Sequence, residues 1–211
     1  MAIHVDLRFV HIEFELWALE EHLAMLEKSI VYLREQDRIR TEAGLTERGL
    51  AENEAEVQFA WQEHRDRVNH VLPRYLRGSF LTTLWAVFEA ATQEIADFLR
   101  GQAGVELVLR DIRGDFLDRA EKYFRHVLAR DFMPDRSTAD VLERILLLRN
   151  AYAHANGRLD AVKSQDRAPI DKLIARNIGI NEEHGYLLMS EEFVRQCLSA
   201  VRDVLSFLMM K

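Results

Sequence analysis

Between Phe9 and Leu33 the apolar residues Phe9, Ile12, Leu16, Leu19, Leu23, Leu26, Ile30 and Leu33 recur in alternating steps of three and four. That is a heptad seam, and it commits the first part of the chain to a long helix with one apolar stripe that must be covered. After the break "TEAGL", Thr46 and Glu47 can open a second helix, whose seam of Leu50, Val57, Trp61, Val68 and Val71 is interrupted by Glu54 and His64. Residues 1–72 are therefore expected to form an antiparallel helical hairpin or coiled-coil arm, its stripe serving as core or as an oligomer interface.

Charge follows the same division. Residues 1–72 hold 15 acidic and 8 basic side chains, whereas residues 73–211 hold 20 of each, so the net −7 arises in the arm. An acidic total argues against sequence-independent coating of DNA, which relies on clustered positive charge, but leaves room for a local nucleic-acid site in the neutral remainder.

Pro73 is expected to end or bend the second helix, and "RYLRGSFLTTLWAVFEAATQEIADFLRG" reads as a long amphipathic helix closed by Gly101. "VELVLRDIRGDFLDRAEKYFRHVLARDF" suggests two shorter helices around Gly114, and "MPDRS" a turn before the next helix. A polar connection through Pro169 follows, then a small hairpin in "NIGINEEHGYLLM". Ser190 is placed to cap a last helix with Glu191 and Glu192 in its first turn. The expected class is all-α with at most one small hairpin, divided into an arm at 1–72 and a helical domain at 73–211.

Several functions find no support. The longest apolar runs fall short of the roughly 18 to 20 residues of a membrane span, and "MAIHVDLRFV" carries acid and arginine where a signal peptide needs an apolar core, so a cytoplasmic protein is expected. Cys197 stands alone among apolar neighbours, which excludes an internal disulfide and favours a buried, inert thiol over a nucleophile. The eight histidines show no H-E-x-x-H or other spacing diagnostic of zinc or a di-iron centre, and no cofactor or metal is expected. Asp111, Asp115 and Asp118 beside Arg110, Arg113 and Arg119 read as surface ion pairing.

The chemistry concentrates in "LLLRNAYAHANGRL", Leu146 to Leu159. An apolar helical run acquires Arg149, Asn150 and His154 and stops at Asn156-Gly157, which puts His154 in the final turn, where helix carbonyls attract positive charge. The R-x4-H spacing is weak by itself: about one such pair is expected by chance in a chain this rich in arginine. A second pair, Arg65 and His70, lies in the acidic arm and is treated as a decoy. From the spacing alone, a C-capping histidine with a solvated arginine is the better explanation.

With its context, "RNAYAH" resembles the R-x4-6-H motif of the HEPN (higher eukaryotes and prokaryotes nucleotide-binding) superfamily, whose ribonucleases commonly carry a polar residue after the arginine. The helix "SFLTTLWAVFEAATQEIADFL" and the run "LRDIRGDFLDRAEKYFRHVLARDFMP" add to the likeness, which spans about residues 74–211. The resemblance implies a metal-independent endoribonuclease acting on RNA as a homodimer, of the kind used as a toxin or in phage defence, with an antitoxin or other protein partner. It implies His154 for proton transfer, Arg149 for transition-state charge and Asn150 for orientation, with Glu89 and Tyr152 as supporting candidates. The alternative is a noncatalytic HEPN-like module that binds RNA or protein.

Overall fold

The computed structural model describes residues 9–210. Residues 1–8, which carry most of the leader-peptide reading, lie outside it. The chain is all-α: α1 (Val10–Glu47), α2 (Glu54–Asp66), α3 (Leu72–Ala103), α4 (Phe116–His126), α5 (Arg136–Ala155), α6 (Ser164–Ala175) and α7 (Glu191–Met209), with one antiparallel hairpin of β1 (Ile180–Glu183) and β2 (Tyr186–Met189). No helix among the described residues is long and apolar enough to cross a membrane.

The heptad seam forms as expected, but it is not an open interface. Phe9, Ile12, Leu16, Leu19, Leu23, Leu26 and Ile30 are buried within the chain itself, and only Leu33 is partly exposed. The break comes later than the sequence suggests. α1 runs through "TEAGL" because Gly44 is tolerated in an open helical position, at roughly 1 kcal/mol relative to alanine, and the Thr41 and Thr46 hydroxyls donate back to the carbonyls of Asp37 and Glu42. Gly49, at φ +67°, stops it, and Asn53 caps α2 by accepting from the Glu56 N–H at 3.3 Å.

Pro73 does not end a helix. A π turn at Arg67–Val71 joins α2 to α3, with the Leu72 N–H reaching back to the Arg67 carbonyl. The ladder is thus already reset where the proline brings no N–H of its own. With no linker at 72, the chain does not divide there. Two compact units emerge among the described residues, 9–20 with 81–149 and 195–210, and 21–80 with 150–194, so each draws on both sides of that position.

The first unit is built on Trp85, Phe88, Phe116, Phe124 and Phe132, whose rings meet at centroid distances of 5.3 to 6.4 Å. Only one α-helix, α4, forms in the stretch around Gly114; its partner is a 3-10 turn at Leu109–Asp111. Asp115 caps α4 through the Asp118 N–H, and Asp118 pairs with Lys122 at 2.6 Å, so these acids are occupied locally. Cys197 is fully buried, and burial pushes its thiol well above the usual range.

The second unit holds the ion pairs with the least solvent. Arg77 grips Glu27 through two nitrogens, at 2.8 and 2.7 Å, and donates a third bond to the Met189 carbonyl. His64, expected to interrupt a seam, is instead buried on it because Asp37 lies 2.8 Å from its Nδ1. The polar connection through Pro169 is largely the helix α6, with that proline inside it.

Candidate functional site

The motif occupies the end of α5. Asp135 starts this helix by accepting from the N–H and hydroxyl of Thr138 at 2.8 and 3.0 Å, bonds that hold its carboxyl below the usual carboxylate range. Val141, Leu142, Ile145, Leu148, Ala151, Tyr152 and Ala155 form its buried stripe. Their spacing sets the rotation of everything else: Arg149 and Asn150 fall half-buried at the flank, and His154 is exposed.

The helix ends in an αL cap. Asn156, at φ +49°, donates its N–H to the Tyr152 carbonyl at 2.9 Å, and Gly157 donates to Ala151 at 3.1 Å. The Asn-Gly pair is therefore the stop that the sequence suggested, and His154 lies in the last turn. The Asn156 amide also donates to the Tyr75 hydroxyl at 3.1 Å.

Five residues separate Arg149 from His154, roughly 140° around and about 7.5 Å along an ideal helix. One helix thus presents both, but on neighbouring faces, so a shared ligand must bridge them. No hydrogen bond or ion pair engages the His154 ring among the described residues. Asn150 lies next to the arginine.

The supporting candidates separate clearly. Tyr152 is buried, and its hydroxyl donates to the Leu187 carbonyl at 2.7 Å; burial pushes this phenol far above its usual range. Such a group is a packing anchor for the hairpin, not an acid or base. Glu89 lies half-buried on α3.

The decoy pair behaves differently from the motif. Arg65 is exposed on α2 and bonded to Gln62 at 2.7 Å. His70 stands in the π turn with Asp66, Glu183 and His184 around it. Beyond the four-residue step from Asp66 to His70, no sequence signal marks this cluster, because His184 arrives from the distant hairpin.

Comparisons with family models, with curated proteins and with solved structures return no match.

Proposed function

We propose that this chain is a metal-independent endoribonuclease of the HEPN type. The observation that carries the reading is the end of α5, where a core-registered helix stopped at Asn156-Gly157 offers His154 to solvent with Arg149 and Asn150 on its flank. The reaction is attack of a ribose 2′-OH on the adjacent phosphorus, forming the O2′–P bond and breaking P–O5′. A base takes the 2′ proton, and an acid protonates the departing 5′ oxygen. Imidazole, with an unperturbed pKa of about 6.5, serves either task, and such transfers typically contribute roughly 10²–10⁴-fold. The Arg149 guanidinium is permanently charged and matches the phosphorane oxygens, and the Asn150 amide orients the phosphate or the ring.

One chain supplies one motif histidine, so the acid–base pair requires a second copy. In this reading two α5 ends share one cleft in a homodimer, and the protein acts in the cytoplasm as a toxin or defence effector restrained by a partner. The buried heptad seam does not hold such a dimer together. A second reading, a noncatalytic HEPN-like module that binds RNA or a protein partner, is favoured by a different observation: Phe14, Trp17, Met25 and Tyr32 on α1 are each 60 to 64 % exposed, an apolar row suited to a partner.

Incubation of the purified protein with mixed cellular RNA in EDTA, beside His154→Ala and Arg65→Ala, separates the two. Cleavage that persists in EDTA, leaves 2′,3′-cyclic phosphate ends, disappears in His154→Ala and survives in Arg65→Ala supports the ribonuclease. Absence of cleavage by a folded dimer, absence of a dimer by light scattering, or cleavage that survives His154→Ala overturns it.

A further inference from the structure

The second unit brings together three metal-ligating side chains that no sequence motif unites. Asp66 ends α2, His70 stands in the π turn, and His184 occupies the tip of the β1–β2 hairpin. The Asp66 Oδ1 atom is 3.9 Å from His70 Nε2 and 3.9 Å from His184 Nε2, and one ligand atom from each residue lies within 4.8 Å of the others. The two imidazoles meet at 83° with centroids 5.3 Å apart.

These distances fit an ion better than mutual hydrogen bonds. At 3.9 Å neither Asp66–histidine contact is a hydrogen bond. Around Zn²⁺, with ligand bonds of about 2.0–2.1 Å, the edge of a tetrahedron is about 3.3 Å. The two Asp66–histidine pairs are thus about 0.6 Å wider than that edge, and all three ligand atoms, within 4.8 Å of one another, come to it by side-chain rotation.

The surroundings show how such a site would be held. Glu183 Oε2 lies 2.7 Å from His70 Nδ1, although the approach is not a straight N–H···O bond and leaves that nitrogen otherwise unbonded. A carboxylate bonded to Nδ1 is the usual second partner of a metal-bound histidine, and a small turn of the His70 ring brings Glu183 into that role, with the Nε2 lone pair facing the metal. The hairpin tip is a two-residue turn with His184 at φ +52° and Gly185 at φ +78°. Turns of this form favour Asn, Asp or Gly at the first position and accept His, so the turn presents the His184 imidazole at the hairpin tip without strain.

We propose that Asp66, His70 and His184 form a Zn²⁺ site, with Glu183 as the positioning residue for His70. Three protein ligands leave the fourth position to solvent or an exchangeable anion, and the ion ties the hairpin tip to the π turn. The site takes no part in the proposed RNA chemistry, and its test uses no RNA readout.

The test is titration of the untagged full chain, stripped with EDTA and dialysed, with zinc chloride by calorimetry and by thermal unfolding. Expected are one Zn²⁺ per chain and a raised melting temperature. His184→Asn, which suits the turn, and Asp66→Asn are each expected to weaken binding at least about tenfold, and Glu183→Gln about 10–100-fold. His126→Ala, exposed at the end of α4, serves as a histidine control. Circular dichroism establishes that each variant is folded. Absence of saturable binding at one equivalent overturns the site, as does binding that folded His184→Asn and Asp66→Asn retain undiminished. Unchanged affinity in Glu183→Gln overturns the positioning role.

Discussion

Gly78→Ala tests the packing that connects the motif helix to the hairpin, and its sign is expected to depend on one partner. Gly78 lies within α3, and a Cβ there would fall 2.4 Å from Tyr152 Cδ1 and 2.7 Å from Cε1. The ring has little freedom to retreat. Its hydroxyl is held by the Leu187 carbonyl at 2.7 Å, and a Cβ at Gly157 would approach Cε1 to 3.1 Å, so that side is close as well. Removing a helical glycine should by itself stabilise by roughly 1 kcal/mol, whereas forcing a methyl into a filled core costs about 1–3 kcal/mol. The net expectation is destabilisation of up to about 2 kcal/mol. In a Tyr152→Ala background the obstacle is gone and only propensity remains, so the same Gly78→Ala change should stabilise by about 1 kcal/mol. Tyr152→Ala alone should cost about 3–5 kcal/mol, within the roughly 5–15 kcal/mol stability of ordinary domains. Urea unfolding of the four proteins measures the coupling directly. If Gly78→Ala is neutral or stabilising in the wild type, or equally destabilising without the ring, the Tyr152 contact is not what requires glycine.

Three other perturbations read separate parts of the chain. Glu27 and Arg77 are 10 % and 15 % exposed at the side chain, so Glu27→Ala strands a desolvated guanidinium and should lower urea stability by about 3 kcal/mol, while the paired Glu27→Leu/Arg77→Met change should recover most of that loss. Burial opposes the charge on Asp37, yet hydrogen bonds from Arg67 and His64 outweigh it and hold the carboxyl below its usual range. Its contribution is therefore complete above the unfolded value of about 3.9 and lost as pH falls through the lower folded value; Asp37→Asn should flatten that part of an acid titration followed by circular dichroism. Cys197 should not react with Ellman's reagent in the native protein and should react fully in denaturant; rapid native reaction would place the thiol outside the core.

The features legible in advance are those fixed by local chemistry. The apolar periodicity of α1, the Asn156-Gly157 stop and the Ser190 cap, which accepts from the Phe193 N–H at 3.1 Å, depend on residues within a turn or two of each other. What was illegible depends on partners supplied from elsewhere. Gly44 and Pro73 read as breakers and Pro169 as part of a polar connection, yet each sits inside continuous helix, so the roughly 1–3 kcal/mol that such residues cost is outweighed by the rest of the helix. His64 read as a polar interruption until Asp37, on the preceding helix, turned it into a buried partner. The same logic governs function. Arg149, Asn150 and His154 are five residues apart at most, so sequence alone could nominate them, and by the same spacing it could nominate Arg65 and His70. The acidic arm around Arg65 and His70 already set the pairs apart in sequence, and the fold adds that His154 is exposed at a helix stop while His70 lies beside Asp66, Glu183 and His184. A motif rejected for one chemistry thus supplies a ligand for another, and the change of assignment rests on His184, which no spacing rule connects to His70.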